Sequence, residues 1–571
     1  QGPHHVAWKS ITTGVSEFCM AAYSSAFISF IFLLNDVHTL YKHNAYTGNF
    51  IHSYFTNYTY KMSSIVVSPH HLSSKAGKNI LEMGGNAVDA AIAVNIVQGI
   101  VAPETCGIGG DLFALIWKDG FTEPECLDAS GYAGSNVNGD KIASDSIPLN
   151  HPMSVTVPGA VDGWFKLHEK FGSLEISKIF AIGIEICHEG FEINHELAKS
   201  LEIHQSELGA QLSSVSFYKN SLPLRSGEHV RRVNLGKTLE LIANEGPDIF
   251  YKGEIAQSIS RVVDGNLTLK DLNDYSSKWI KPLRLNIFGY DGWTTPPSTQ
   301  SYLTLSTLKG YELLSEKYDE SLHMLIESYR IFAADRDNLT YDYQDDIDNF
   351  KGVNLGYIEE KIELYNDNKS QRFSFPEPKG GGTAYMTVKD SEGLGISLIQ
   401  SNFHGIGSRI GVDSYGFFLH NRGCGFNLKK GHNNYLQAGK KPLHTLSPTL
   451  WTKENKLELI LGTRGGRYQP QLLAQMILPY LQNKTSIKET MSKGRWALND
   501  FLSDTDSHLT VEGAFPQNDI EQLKSKGHKV TQIEEIFDKA YGPVSAIYQD
   551  KDNVWSGAED IRVGTEAVEI L

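Results

Sequence analysis

The chain has 571 residues, 40% hydrophobic and 21% charged, the balance of a soluble globular protein with ample material for a core. That length suits two to four ordinary domains or one large unit assembled from two parts. A formal charge of −15 without any dense lysine or arginine tract argues against a nucleic-acid partner, which needs cations to neutralise successive phosphates. The cysteines, Cys19, Cys106, Cys126, Cys187 and Cys424, are odd in number, scattered and free of any CxxC pair, which argues against a disulfide framework or thiolate chemistry.

In chain order, residues 18–34 (FCMAAYSSAFISFIFLL) form an apolar run slightly short of the roughly 20 residues that span a bilayer. A non-native leader, a misassigned start and a real signal anchor all fit it. Localisation follows that choice: cytoplasmic if residues 1–61 are non-native, membrane-anchored or exported if they are an anchor. Membrane association is left open on the same ground. The working protein is placed from Met62. Residues 71–103 show apolar positions at helical spacing broken at Gly84-Gly85, which predicts two helices joined by a glycine turn. ETCGIGGDLFALIWKDG then passes from a glycine-rich turn into a strand ended by Asp119-Gly120. No P-loop lysine follows and GxGxxG is absent, so Gly109 and Gly110 are assigned to close packing.

Residues 154–350 are mostly helical by pattern, with a turn at Pro296-Pro297. His168, His188 and His195 each precede a glutamate but lack a second histidine four residues on, and are assigned to solvated helix faces. Residues 351–382 turn polar and gain Pro376, Pro378 and a glycine run, as an exposed linker would. TAYMTVK and GISLIQSN predict a hairpin from Thr383, and residues 444–481 predict strand, turn, strand and a glycine corner opening a helix. No internal repeat is present at solenoid periods.

The glycines before Thr383 carry the chemistry. A threonine hydroxyl facing the carbonyl of Gly382 can attack its own preceding peptide bond, and water can cleave the resulting ester. The product is a chain beginning at Thr383. A free α-amine ordinarily titrates at about 7.7–8.0, so this one can take the hydroxyl proton near neutrality.

The segments EMGGNAVDAAIAV, CGIGGDLFALIW, VPGAVDGW, FAADRDNLTYD, GGGT, SLIQSNFHGIGS, NRGCGF and LGTRGGRYQPQ, in this order, resemble the γ-glutamyltranspeptidase family of N-terminal nucleophile (Ntn) hydrolases from about Ser64 to Gly564. The resemblance implies an α+β fold, a four-layer αββα sandwich built from large and small fragments of one precursor. It implies cleavage between Gly382 and Thr383, giving a large fragment at 62–382 and a small one at 383–571 that stay associated, with higher oligomers open. It makes Thr383 the nucleophile and Ser401 the hydroxyl beside it. Gly465 and Gly466 become the oxyanion pair, and Asn402 a pocket residue. No metal or organic cofactor is implied.

The departures fall in the substrate pocket. Ser130 stands where the family has the arginine that clamps the glutamyl carboxylate, so the bidentate charge-assisted pairing is lost. Cys424 and Gly425 stand at its acidic pair, and His444 and Thr445 at its paired serines. Arg422 and His444 could hold another anionic acyl group, or Arg422 could be salt-bridged structurally. The expected activity is hydrolysis or transfer of an acyl group from a γ-glutamyl-like or other small acyl amide to water or an amine, in the manner of the acylase-like branch. A catalytically silent scaffold and a true γ-glutamyl transpeptidase acting on glutathione are the alternatives.

Overall fold

The computed structural model describes residues 63–209, 216–370, 382–499, 508–564 and 566–570. The assignments made for residues 1–61, with Cys19 and the apolar run at 18–34, and for Gly380 and Gly381 lie outside the described residues. Among the described residues no helix is long and apolar enough to cross a membrane. Cys106, Cys126, Cys187 and Cys424 are free thiols.

Thirteen strands build two sheets. They are β1 (Ser64–Ser68), β2 (Asp111–Trp117), β3 (Glu125–Ala129), β4 (Lys278–Ile280), β5 (Leu283–Ile287), β6 (Tyr290–Thr294), β7 (Gly382–Lys389), β8 (Gly395–Phe403), β9 (Thr449–Lys453), β10 (Lys456–Thr463), β11 (Val544–Gln549), β12 (Trp555–Ala558) and β13 (Glu566–Ile570). One sheet runs β13-β1-β7-β8-β2-β3-β4 and the other β12-β11-β10-β9-β6-β5. Strands β7 and β8 pack face to face on β10. Each sheet mixes strands from before and after Thr383, so neither half of the chain could complete a sheet alone.

The outer layers are helical. Helices α1 (His71–Glu82), α2 (Ala87–Val101), α3 (Ala160–Phe171) and α4 (Ile176–Glu189) belong to the first sheet's side, α2 lying on β7 and β8. Helices α5 (Tyr302–Ser315), α6 (Leu322–Ala333), α7 (Leu355–Ile362) and α8 (Gln469–Asn483) belong to the second, with α5 on β5 and α8 on β10. This is the four-layer αββα sandwich.

Helix α2 shows how sequence produces this arrangement. Asn86 caps it and Asp89 closes a reciprocal capping box, and every residue of AVDAAIAVNIVQGIV is buried. A helix apolar on all sides has no solvent face and must lie inside. Its two polar interior residues are bonded: Asn95 Nδ2 donates to Gln400 at 2.7 Å and Gln98 accepts from Ser73 at 2.9 Å. The Arg232 guanidinium caps its end, donating to the carbonyls of Gly99 and Ile100. All of β7 and β8 is buried as well, including their polar residues.

Two expectations are corrected. The stretch 154–350 contains β4 to β6 as well as helices, because LRLNI alternates buried and exposed residues and turns at Phe288-Gly289, a period of two hidden among helical patterns. Residues 351–370 are not plain linker: α7 buries Tyr357, Ile358 and Ile362 on one face.

Candidate active site

The pairing of β7 with β8 sets Thr383 opposite Ser401. The register slips between Gly382 and Thr383, so Gly382 faces Phe403 and Asn402 becomes the extra residue of a bulge. Phe403 takes φ of +74° there, a left-handed conformation that is costly for an aromatic residue. On its other edge β7 pairs with β1 only from Thr387 to Lys389, so the Thr383 end is held by β8 alone.

Thr383 Oγ1 lies 3.1 Å from Ser401 Oγ, which in turn lies 2.7 Å from the carbonyl oxygen of Gly382 and 2.8 Å from the N–H of Phe403. A hydroxyl has one proton to donate, a carbonyl can only accept and an amide N–H only donate. Ser401 therefore donates to Gly382 and accepts from Phe403, and Thr383 donates to Ser401. The result is a directed chain from the Thr383 hydroxyl to the carbonyl of the peptide bond just before it. Thr383 is 1% exposed and Ser401 is fully buried. Gly382 has no room for a side chain, since a Cβ there would fall 2.5 Å from the Gly405 carbonyl oxygen and 2.6 Å from that of Glu104.

Strand β10 brings the second element. A Cβ on Gly462 would strike the Tyr385 ring at 2.2 Å, whereas one on Gly395 would meet Ile460 and Leu457, so β10 runs toward the Thr383 end of the sandwich. Beyond it Gly465 takes φ of +131° and Gly466 φ of +56°, and the chain turns through Gly466–Tyr468 into α8. The first angle is one that only glycine adopts without strain. Their amides thus stand at a helix start, where N–H groups point outward. Gln300 ties this corner down by donating to the carbonyls of Thr445 and Gly466 at 3.1 and 3.0 Å.

Asp111, opposite Ser401 in β2, is the electrostatic centre behind the nucleophile. Arg422 Nε donates to its Oδ2 at 2.9 Å, and both side chains are fully buried. Burial alone would raise the Asp111 carboxyl, but the guanidinium outweighs it and holds it well below the usual range. The same guanidinium lies 4.2 Å from the centre of the Phe403 ring, supporting the bulge from beneath. Arg422 thus takes the structural role left open from sequence. His444 is corrected: burial, and then the charge of Arg422, push its imidazole far below its ordinary value, so it is neutral and offers an anion no charge. Its ring packs edge-on against Phe113, 5.1 Å away. Thr445 Oγ1 sits 3.5 Å from Arg422.

Ser130 is buried and donates to Asp128 at 2.5 Å, and Asp128 also holds Lys441 at 2.7 Å. Asn402 donates to the Pro103 carbonyl at 3.0 Å, and the cavity it borders holds about 20 Å³, room for a water rather than an acyl group. Gly109 and Gly110 serve close packing, against Phe418 and Ser401 carbonyls 2.2 and 2.7 Å from where a Cβ would stand. Among the histidines, His188 meets Glu240 at a half-exposed helix face, but His168 bonds the Leu174 carbonyl at 2.6 Å and so ties down the chain beyond α3.

The gamma-glutamyltranspeptidase family model matches residues 73–570. The chain belongs to this family. The glutathione hydrolase-like YwrD proenzyme of Bacillus subtilis is 30% identical over 89% of this chain and 98% of its own length. The oxamate amidohydrolase proenzyme of Klebsiella pneumoniae is 29% identical over 87% and 97%. Among solved structures, the cephalosporin acylase from Bacillus halodurans superposes with a TM-score of 0.80 at 28% identity, covering 89% of this chain and 96% of that one. As a gamma-glutamyltranspeptidase family member the chain is an enzyme, an amidohydrolase or transferase of the N-terminal threonine class.

Two residues near this site escaped the sequence reading. Asp111 was visible only as a lone charge opening the apolar run DLFALIW. The backbone carbonyl of Glu104 lies beside Gly382, and the Oε2 of its carboxyl is buried and unpartnered among the described residues. Burial pushes its carboxyl up to about 7 despite the nearby Arg464.

Proposed function

We propose that Thr383 is the nucleophile, that the chain cuts itself between Gly382 and Thr383, and that the mature enzyme removes or transfers a carboxylate-bearing acyl group from a small amide. The hydroxyl chain from Thr383 through Ser401 to the Gly382 carbonyl is the observation that carries this reading. In the uncut chain Thr383 Oγ attacks the Gly382 carbonyl carbon while its proton passes to Ser401 and the Ser401 proton passes to the carbonyl oxygen. Collapse of the adduct breaks the C–N bond, returns a proton to nitrogen and leaves an ester on Oγ. Water hydrolyses that ester, giving a carboxylate at Gly382 and restoring the Thr383 hydroxyl beside the amine freed when the C–N bond broke.

In the mature enzyme the amine takes the Oγ proton as Oγ attacks the substrate amide, then gives it to the departing amine. Water or an amine acceptor releases the acyl group. The amides of Gly465 and Gly466 receive the developing oxyanion, a role worth about 3–4 kcal/mol per donor. Interleaved strands in both sheets support fragments 62–382 and 383–571 staying together.

Replacing Ser401 with alanine removes both relay bonds and is expected to slow fragment formation about 10²–10³-fold, read from a gel time course. An unchanged rate would remove Ser401 from the relay.

The substrate preference follows from charge. Arg464 and Arg467 flank the glycine pair, partly exposed at 14% and 19% and ion-paired at the long distances of 3.4 Å to Glu196 and 3.3 Å to Asp337. Lys441 stands beside Ser130's partner Asp128. These cations favour an acyl group ending in a carboxylate, and Cys424 and Gly425 offer no acid for an α-ammonium. A glutaryl anilide is therefore expected to be cleaved at least about tenfold faster than the γ-glutamyl anilide, the worth of one unpaired charge-assisted bond. The second reading, γ-glutamyl transfer, rests on Glu104 as the acid for that ammonium. A preference for the γ-glutamyl anilide that disappears in Glu104→Gln would establish it instead.

A further inference from the structure

A buried cluster in the outer helical layer has no part in this chemistry. His323 and Glu327 stand one turn apart on α6, and His528 follows the helix Gln517–Ser525. One ligand atom from each residue lies within 4.8 Å of the others, and all three residues are buried. His323 Nδ1 is 2.7 Å from His528 Nε2, and His323 Nε2 is 2.9 Å from the Asn366 carbonyl oxygen. That carbonyl can only accept, so His323 carries its proton on Nε2 and turns the Nδ1 lone pair inward. His528 then donates from Nε2, leaving its Nδ1 buried and unpartnered among the described residues.

We infer that His323, Glu327 and His528 form a site for a divalent transition-metal ion, with Zn2+ the best match to its ligands. Two imidazoles and a carboxylate are a recurrent three-ligand zinc set, completed by a fourth ligand such as water. The His323 ring is already held by the outer bond to a backbone carbonyl that ligating histidines characteristically make. Binding needs two changes. The proton of His528 moves from Nε2 to the unpartnered Nδ1, and the two nitrogens part from 2.7 Å to about 3.3 Å, as tetrahedral bonds of about 2.05 Å require. No proton is lost overall, since both imidazoles start neutral. Arg330, 2.9 Å from Glu327 Oε1, opposes the ion and lowers its affinity relative to an isolated set.

The ion would have a structural task. Lys526 donates to the Asp367 carbonyl at 2.7 Å, and Ser370 N–H to the Lys526 carbonyl at 2.8 Å, so the segment leading toward Gly382 is zipped to the same 526–528 turn. With the cut proposed above, His323 and Glu327 belong to the large fragment and His528 to the small one, and the metal would staple them together. The stapling rests on that cut, whereas the binding does not.

The test uses the mature enzyme, stripped with EDTA and re-dialysed against Zn2+ or Co2+. Stoichiometric Zn2+ and the intense visible bands of tetrahedral Co2+ are expected, both lost in His528→Gln. Wild-type enzyme that stays folded yet takes up no Zn2+ and shows no such bands would overturn the site. Should His528→Gln fail to fold, the wild-type cobalt spectrum decides alone. EDTA is further expected to lower the urea concentration at which the fragments separate, with Zn2+ restoring it. Bound metal without that effect would keep the site and overturn the staple.

Discussion

The Thr383→Ala protein is expected to run as one undivided band, while wild type separates into fragments of residues 1–382 and 383–571 under denaturing conditions. Removing the attacking atom abolishes both the self-cut and every later acyl transfer, a loss of roughly 10⁴–10⁶-fold in rate by comparison with other nucleophile deletions. Folding should survive, because alanine keeps the backbone pairing of residue 383 with Ser401 and loses only one buried hydroxyl. Thr383→Ser, which restores a hydroxyl at the same place, is expected to recover cutting. Two fragments in Thr383→Ala, or wild type that never divides although folded, would refute the assignment of the nucleophile.

The second large effect concerns Asp111 and Arg422, tested in the uncut Thr383→Ala chain so that unfolding does not also separate fragments. Either Asp111→Asn or Arg422→Met leaves a buried charge without its partner and is expected to cost about 3–5 kcal/mol in urea unfolding. Asp111→Leu combined with Arg422→Met, which removes both charges, should cost much less than the sum. The acid limb gives a further check. The folded Asp111 carboxyl lies below its unfolded value of about 3.9, so its stabilisation is present above that pH and lost as pH falls through the folded value. The gap between the parent chain and Asp111→Asn should therefore close only below about pH 4. Single variants as stable as the parent would show that the pair does not hold the Phe403 bulge in place.

Much of this was legible before any coordinates. The Thr383 and Ser401 hairpin could be read because two strand-like runs flank a DSEG turn, and a short turn sets the pairing locally. The paired helices at 71–101 could be read because apolar residues at helical spacing and the Gly84-Gly85 break sit side by side in the chain. The hairpin at 283–294 was missed because its alternation is short and lies among helical patterns. Helix α7 was missed because its apolar face is only three residues wide. The pocket was harder to read: Arg422 and His444 looked equally able to meet an anion, and it is the Arg422–Asp111 ion pair and the burial of His444 beside that guanidinium that separate them. One is charged and spent on that acid, and the other is neutral.

By itself the sequence determined the strand pairing around Thr383 and the glycine corner at 465–466. These depend on residue type and on neighbours a few positions apart. Only the tertiary structure decided where charges and protons reside: Asp111 against Arg422 across 311 positions, Lys441 against Asp128 across 313, and the hydrogen-bonded His323 and His528 across 205. Charge and protonation are properties of what surrounds a group in space and how far water is excluded from it, and a linear order of residues does not contain that information.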